Sequence, residues 1–124
     1  MTKPVGINLL TDIASLLSLN GEPSANTTVK KITQLERHSK NFINRSPFCL
    51  LATSSGEGCD ASPRGDAPGF VHCLDDSTLL VPERPGNRLA DSMKNIINDP
   101  ELGLLFLIPG RDDTLRINGR GYIT

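Results

Sequence analysis

The sequence predicts a mainly β fold, a six-stranded antiparallel barrel with one inserted helix and helices in an N-terminal segment. Two observations carry this. From Phe48 onward six short apolar runs follow at close spacing, separated by turns rich in Gly, Pro, Asp and Ser. Only one segment of helical period interrupts them, between the fourth run and the fifth, which suits an antiparallel barrel better than parallel βαβ units.

The elements follow in chain order. After Pro4, the spacing of Val5, Leu9, Leu10, Ile13, Leu16 and Leu17 puts apolar side chains on one face of a helix ending near Asn20-Gly21. Residues 22–27 read as a connection. Val29, Ile32, Leu35 and Phe42 then mark a second helix from about Thr28, stopped by Ser46-Pro47 because the residue before a proline disfavours the helical region. Phe48–Thr53 and Cys59–Ser62 flank a Gly-containing turn and form a first hairpin. Gly69–Leu74 and Thr78–Pro82 form a second, across Asp75-Asp76-Ser77. Gly86-Asn87 starts the inserted helix, with Asn87 as N-cap, an apolar stripe of Leu89, Met93, Ile96 and Ile97, and a stop at Pro100. The last two strands are Leu102–Ile108 and Thr114–Ile123, joined through Pro109-Gly110. The chain is expected to be one domain, with residues 1–46 a helical segment and 47–124 the barrel. Its last residue, Thr124, follows directly on a strand, which reads as a truncated C-terminus.

Composition excludes several classes. A net charge of −1 over 124 residues gives no one-sided positive field for nucleic acid, and no apolar run approaches the length of a membrane span. Three cysteines, an odd number without a Cys-x-x-Cys pair, together with an N-terminus that lacks a signal-peptide core, make a reducing cytoplasm the expected compartment. Cys49, Cys59 and Cys73 each read as small buried hydrophobes. His72 and Cys73 are adjacent on a strand and point to opposite faces, so no metal site is expected.

Two loops carry candidate chemistry. Ser62-Pro63-Arg64-Gly65-Asp66 combines a hydroxyl, a guanidinium and exposed backbone N–H groups, which is what a phosphate needs, although a loop with a surface Arg–Asp pair fits the same residues. Gly86-Asn87-Arg88 leads into a helix, where unpaired N–H groups and the macrodipole favour a phosphate, and solvated arginines beside a capped helix are the alternative. On the last strand Thr114, Arg116 and Asn118 share one face, either meeting the polar edge of a flat heterocycle or simply solvated. Gly-x-Gly-x-x-Gly, Walker and Gly-x-Ser-x-Gly patterns are all missing, so hard chemistry would have to come from a cofactor.

Four ordered segments, Ser62–Val71, Leu79–Arg88, Phe106–Gly110 and Thr114–Arg120, resemble the pyridoxamine 5'-phosphate oxidase-like FMN-binding split-barrel proteins, and within them a subgroup marked by the SPRGD and PGNR motifs. The resemblance runs from about residue 35 to Thr124. It implies a six-stranded split barrel, a homodimer, and flavin mononucleotide (FMN) in the groove between subunits. It places the FMN contacts on Ser62, Arg64 and Asp66, on Val81, Pro82, Asn87 and Arg88, and, near the isoalloxazine edge, on Thr114. Where the vitamin B6 oxidase has a basic, lysine-containing strand this chain has Arg64-Gly65-Asp66, and the segment that grips the substrate phosphate has no counterpart. The resemblance therefore implies an FMN-dependent oxidoreductase acting with a small-molecule substrate or electron donor, but not pyridoxamine 5'-phosphate oxidation. Its catalytic residues stay unassigned. A flavin-binding module without turnover and a cofactor-free interaction barrel are the other two readings.

Overall fold

A computed structural model describes Asp12, Ala14, and residues 34–56, 58–82 and 90–124. Residues 1–33 form a unit separate from Gln34–Thr124. Apart from Asp12 and Ala14, the helix expected before Gly21 lies outside the described residues, as does the Gly86-Asn87-Arg88 segment.

The second unit is mainly β, with two helices and six antiparallel strands: α1 (Arg37–Arg45), β1 (Phe48–Ser55), β2 (Gly58–Gly65), β3 (His72–Asp75), β4 (Thr78–Leu80), α2 (Ala90–Asn98), β5 (Glu101–Leu107) and β6 (Thr114–Arg120). Strands β2-β1-β5-β6 form one sheet and β3-β4 a separate hairpin, so the barrel is split and the large sheet does not close on itself. Alternation gives the sheet two faces. Cys49, Leu51, Leu104 and Phe106 point inward, and with Phe42 and Ile43 of α1, Val71, and Ile96 of α2 they make the core.

The outward face presents Phe48, Leu50, Leu105 and Leu107, all half-buried, beside exposed Ala52, Ala61 and Pro63. No element among the described residues covers that face. Neither nine-residue helix is long and apolar enough to cross a membrane, and the same holds for every described helix.

Three elements differ from expectation for identifiable reasons. Helix α1 begins at Arg37, because Glu36 is extended and the Leu35 N–H donates to the Asp76 carbonyl at the tip of the β3-β4 hairpin. Strand β2 continues through Pro63 to Gly65. A proline there removes no needed ladder bond, since β2 is an edge strand. Helix α2 is rotated relative to its expected stripe: Ile96 is buried, Ile97 is 71% exposed, and the residue that goes fully inside is Ser92 at 1%.

The β5–β6 connection behaves as its residues dictate. Pro109 and Gly110 occupy the middle of a tight turn closed by the Arg111 N–H to the Ile108 carbonyl, with Gly110 at φ +85°, where a side chain would be strained.

Candidate functional site

Strand β2 turns a polar face inward. Its residues Asp60, Ser62 and Arg64 lie opposite Thr53, Leu51 and Cys49 of β1, and Arg64 is only 5% exposed. Burying a guanidinium is costly unless its donors are met and its charge is balanced, so a cation in this position is held for a reason. The Arg64 Nε–H donates to Ser62 Oγ at 3.4 Å, and Ser62 Oγ lies 3.2 Å from Ser92 Oγ of α2. The Ser92 hydroxyl in turn donates to Asp60 Oδ2 at 3.1 Å. One step further along the helix, Asn95 Nδ2 donates to Thr53 Oγ1 at 3.1 Å. Helix α2 is thus docked on β1 and β2 partly through polar contacts.

Beside the guanidinium lies the Cys49 thiol, fully buried. Burial pushes its pKa up to about 11, and the positive charge of Arg64 opposes that rise without cancelling it. The thiol is therefore protonated at neutral pH. The three cysteines do not share one environment as expected: Cys49 is buried, Cys73 is half-buried, and Cys59, near the start of the edge strand, is exposed.

The loop after Arg64 is fastened to the end of α1. The Asp66 N–H donates to the Pro47 carbonyl (3.0 Å), the Ala67 N–H to Asp66 Oδ1 (2.8 Å), the Gly69 N–H to the Ser46 carbonyl (3.2 Å) and the Phe70 N–H to the Ala67 carbonyl (3.1 Å). Of the segment expected to face a phosphate, the Asp66 amide is instead taken by an internal acceptor. Gly69 has φ +83°, and a Cβ there would sit 3.0 Å from the Asn44 carbonyl oxygen, so the close approach of loop and helix needs glycine.

The residues nominated from sequence fall in three places. Ser62 and Arg64 come together in the interior, with Asp66 immediately after them at the loop start. Val81 packs against the core and Pro82 is exposed, both following β4, while Asn87 and Arg88 lie outside the described residues. Thr114 is exposed, and the register β2-β1-β5-β6 puts it in the row of Gly65, Phe48 and Leu107 on the outward face, with Arg116 and Asn118. Within one chain Thr114 and Arg64 therefore occupy opposite faces of the sheet.

Sequence reasoning passed over Asp60, Ser92 and Cys49. The signal for Cys49 and Asp60 was the alternation of β1 and β2, which places them on the face of Arg64 once the strand is extended through Pro63. Ser92 carried no signal, because a serine in a helix ordinarily reads as a solvated position. A shallow groove of about 520 Å³ opens at the other end of the sheet, between Ser54, Cys59, Asp60, Glu101, Leu102 and Asn118, and it includes none of the residues assigned to FMN.

Comparison with known proteins agrees with this architecture. Residues 35–123 match the family model described as pyridoxamine 5'-phosphate oxidase. The chain is also similar in fold to a crystal structure of a variant of HupZ from Group A Streptococcus, with a TM-score of 0.55, 20% sequence identity, and coverage of 69% of this chain and 67% of that one. No curated protein sequence matches it.

Proposed function

The chain belongs to the pyridoxamine 5'-phosphate oxidase family, and from that premise we propose that it is an FMN-binding flavoprotein acting as an FMN-dependent oxidoreductase. The observation that supports this most is the buried, charged Arg64, held on the inward face of β2 by Ser62. Its positive charge is set in a region of low dielectric, where attraction for a phosphate is strengthened. The donor set suits a phosphate monoester, so the residues present fit FMN. Ser62, Arg64 and Asp66 form one part of the FMN site. Val81, Pro82, Asn87 and Arg88 form the part that follows β4.

When bound, FMN supplies the redox chemistry through its isoalloxazine ring. The chain's part is to anchor the phosphate and fix the ring's orientation. Thr114 reaches the ring's edge from the outward face, and because Arg64 occupies the opposite face, one FMN meets both residues only when two copies of the chain contribute. The half-buried row of Phe48, Leu50, Leu105 and Leu107 supplies the apolar surface for such a homodimer. The electron donor or substrate is a small molecule.

A flavin carrier without turnover is the second reading, and one observation favours it. The thiol that faces Arg64 keeps its proton up to a pH of about 11, so it supplies no base to the site at neutral pH. Absorption spectroscopy of the protein reconstituted with FMN, followed by stopped-flow mixing with NADH or NADPH, separates the readings. Flavin bleaching at a catalytically useful rate supports the oxidoreductase, a bound but unreactive flavin supports the carrier, and no flavin retained after desalting rules out both.

A further inference from the structure

Four polar side chains cross the interior in a line, and their hydrogens can be assigned by elimination. Ser92 has one hydroxyl proton and gives it to Asp60 Oδ2 at 3.1 Å. In the 3.2 Å contact between the two serines, Ser92 must therefore accept and Ser62 must donate. With its own proton committed to Ser92, Ser62 keeps its oxygen lone pairs for the Arg64 Nε–H at 3.4 Å. The chain runs one way, from guanidinium through two hydroxyls to a carboxylate, with a formal charge at each end to strengthen it. Ser92 is 1% exposed, Ser62 8% and Arg64 5%, so little water competes for these bonds.

The line also joins two parts of the sequence. Ser62 and Arg64 lie on β2, whereas Ser92 lies on α2, four residues after Arg88 in the chain. A shift of α2 along β2 cannot occur without breaking the serine–serine contact. Resting on the FMN reading above, we propose that Ser92 is a positioning residue for the phosphate site, one that aims Arg64 through Ser62 and holds α2 in register with β2. On this assignment Ser62 acts on the phosphate indirectly, by orienting the guanidinium, and Asp60 anchors the far end of the line.

The experiment compares FMN with riboflavin, which lacks only the phosphate, by fluorescence titration of the wild type, Ser92→Ala and Asp60→Asn. Ser92→Ala removes one hydroxyl without adding volume, and Asp60→Asn keeps the shape at a half-buried position while removing the anchoring charge. The expected result is a loss of about tenfold in FMN affinity for Ser92→Ala, the size of one lost hydrogen bond in the site, with riboflavin affinity changed less than about twofold. Asp60→Asn shifts the FMN-to-riboflavin ratio in the same direction. If both variants, folded by circular dichroism, keep the wild-type ratio, Ser92 has no positioning role. Equal losses for FMN and riboflavin also overturn the proposal, since they indicate general loosening of the fold. A wild type that does not prefer FMN to riboflavin refutes the FMN reading itself, and the Ser92 assignment with it. Should Ser92→Ala fail to fold, the Asp60→Asn ratio alone decides.

Discussion

Cys49 and Arg64 are direct partners across the β1–β2 pair, a fully buried thiol facing a buried guanidinium. The pKa of Cys49 is raised to about 11, by burial first, and the unfolded chain has an ordinary thiol near about 8.5. Between those values the unfolded state releases a proton that the folded state keeps. Stability from this group is therefore complete below about pH 8.5 and is lost as pH rises towards 11, with a slope approaching about 1.4 kcal/mol per pH unit.

Urea unfolding of wild type and Cys49→Ala at pH 8, 9 and 10 checks the sign. The wild type should lose more stability over that interval than the variant does. Parallel declines would show that the thiol is not shielded. In native protein at pH 8, a thiol reagent should modify exposed Cys59 well before Cys49.

Ser46 fastens the start of β1 to the end of β5. It is 1% exposed, and its Oγ lies 2.5 Å from the Leu107 carbonyl and 2.7 Å from the Phe48 carbonyl. Ser46→Ala should destabilise the protein by about 0.5–1.5 kcal/mol, because the one hydroxyl proton shared by two part-buried carbonyls is lost. Denaturant titration measures this, and a change under about 0.5 kcal/mol, the range of ordinary surface substitutions, would contradict it.

Much of this architecture follows from sequence pattern, and the failures have physical causes. The apolar runs around Leu51 and Phe106 and the partly alternating run around Ile117 are bounded by turn residues, so six strands and their order along the chain are visible in advance. Pro63 hid the end of β2, because a proline reads as a break and only the sheet order reveals that β2 is an edge that tolerates it. The orientation of α2 was missed since β2 turns polar residues inward, and the helix answers with Ser92 where a hydrophobic stripe would have placed Ile97. For the candidate site, the Ser62-Pro63-Arg64 motif stood out in the sequence. Its support by Ser92 and Asp60 is a tertiary relation with no local pattern.

Gly69→Ala should cost about 1–3 kcal/mol, combining a residue forced to positive φ with a Cβ placed 3.0 Å from the Asn44 carbonyl oxygen. The loop after Arg64 would separate from α1. Thermal unfolding reports the loss, and amide exchange at position 69 and at Phe70 should quicken. An unchanged melting temperature would mean that the loop and α1 are not held together as described.

Leu105 lies at the centre of the outward sheet face, between Leu50 on β1 and Arg116 on β6. In the proposed homodimer it is covered by the second copy. Leu105→Glu should yield a monomer by light scattering, with far-ultraviolet circular dichroism retained and FMN affinity lowered at least tenfold, because Thr114 and Arg64 no longer reach one ligand. A variant that stays dimeric would place the interface elsewhere.

The central claim is that a phosphate monoester is recognised by a buried cation. It is tested most directly by calorimetric titration of the wild-type protein with FMN and, in parallel, with riboflavin. Charge-assisted contacts contribute about 1.5–3 kcal/mol each, so FMN should bind at least about tenfold more tightly than riboflavin, and a hundredfold if Arg64 and Arg88 both engage the phosphate. Equal affinities for the two ligands would contradict the claim.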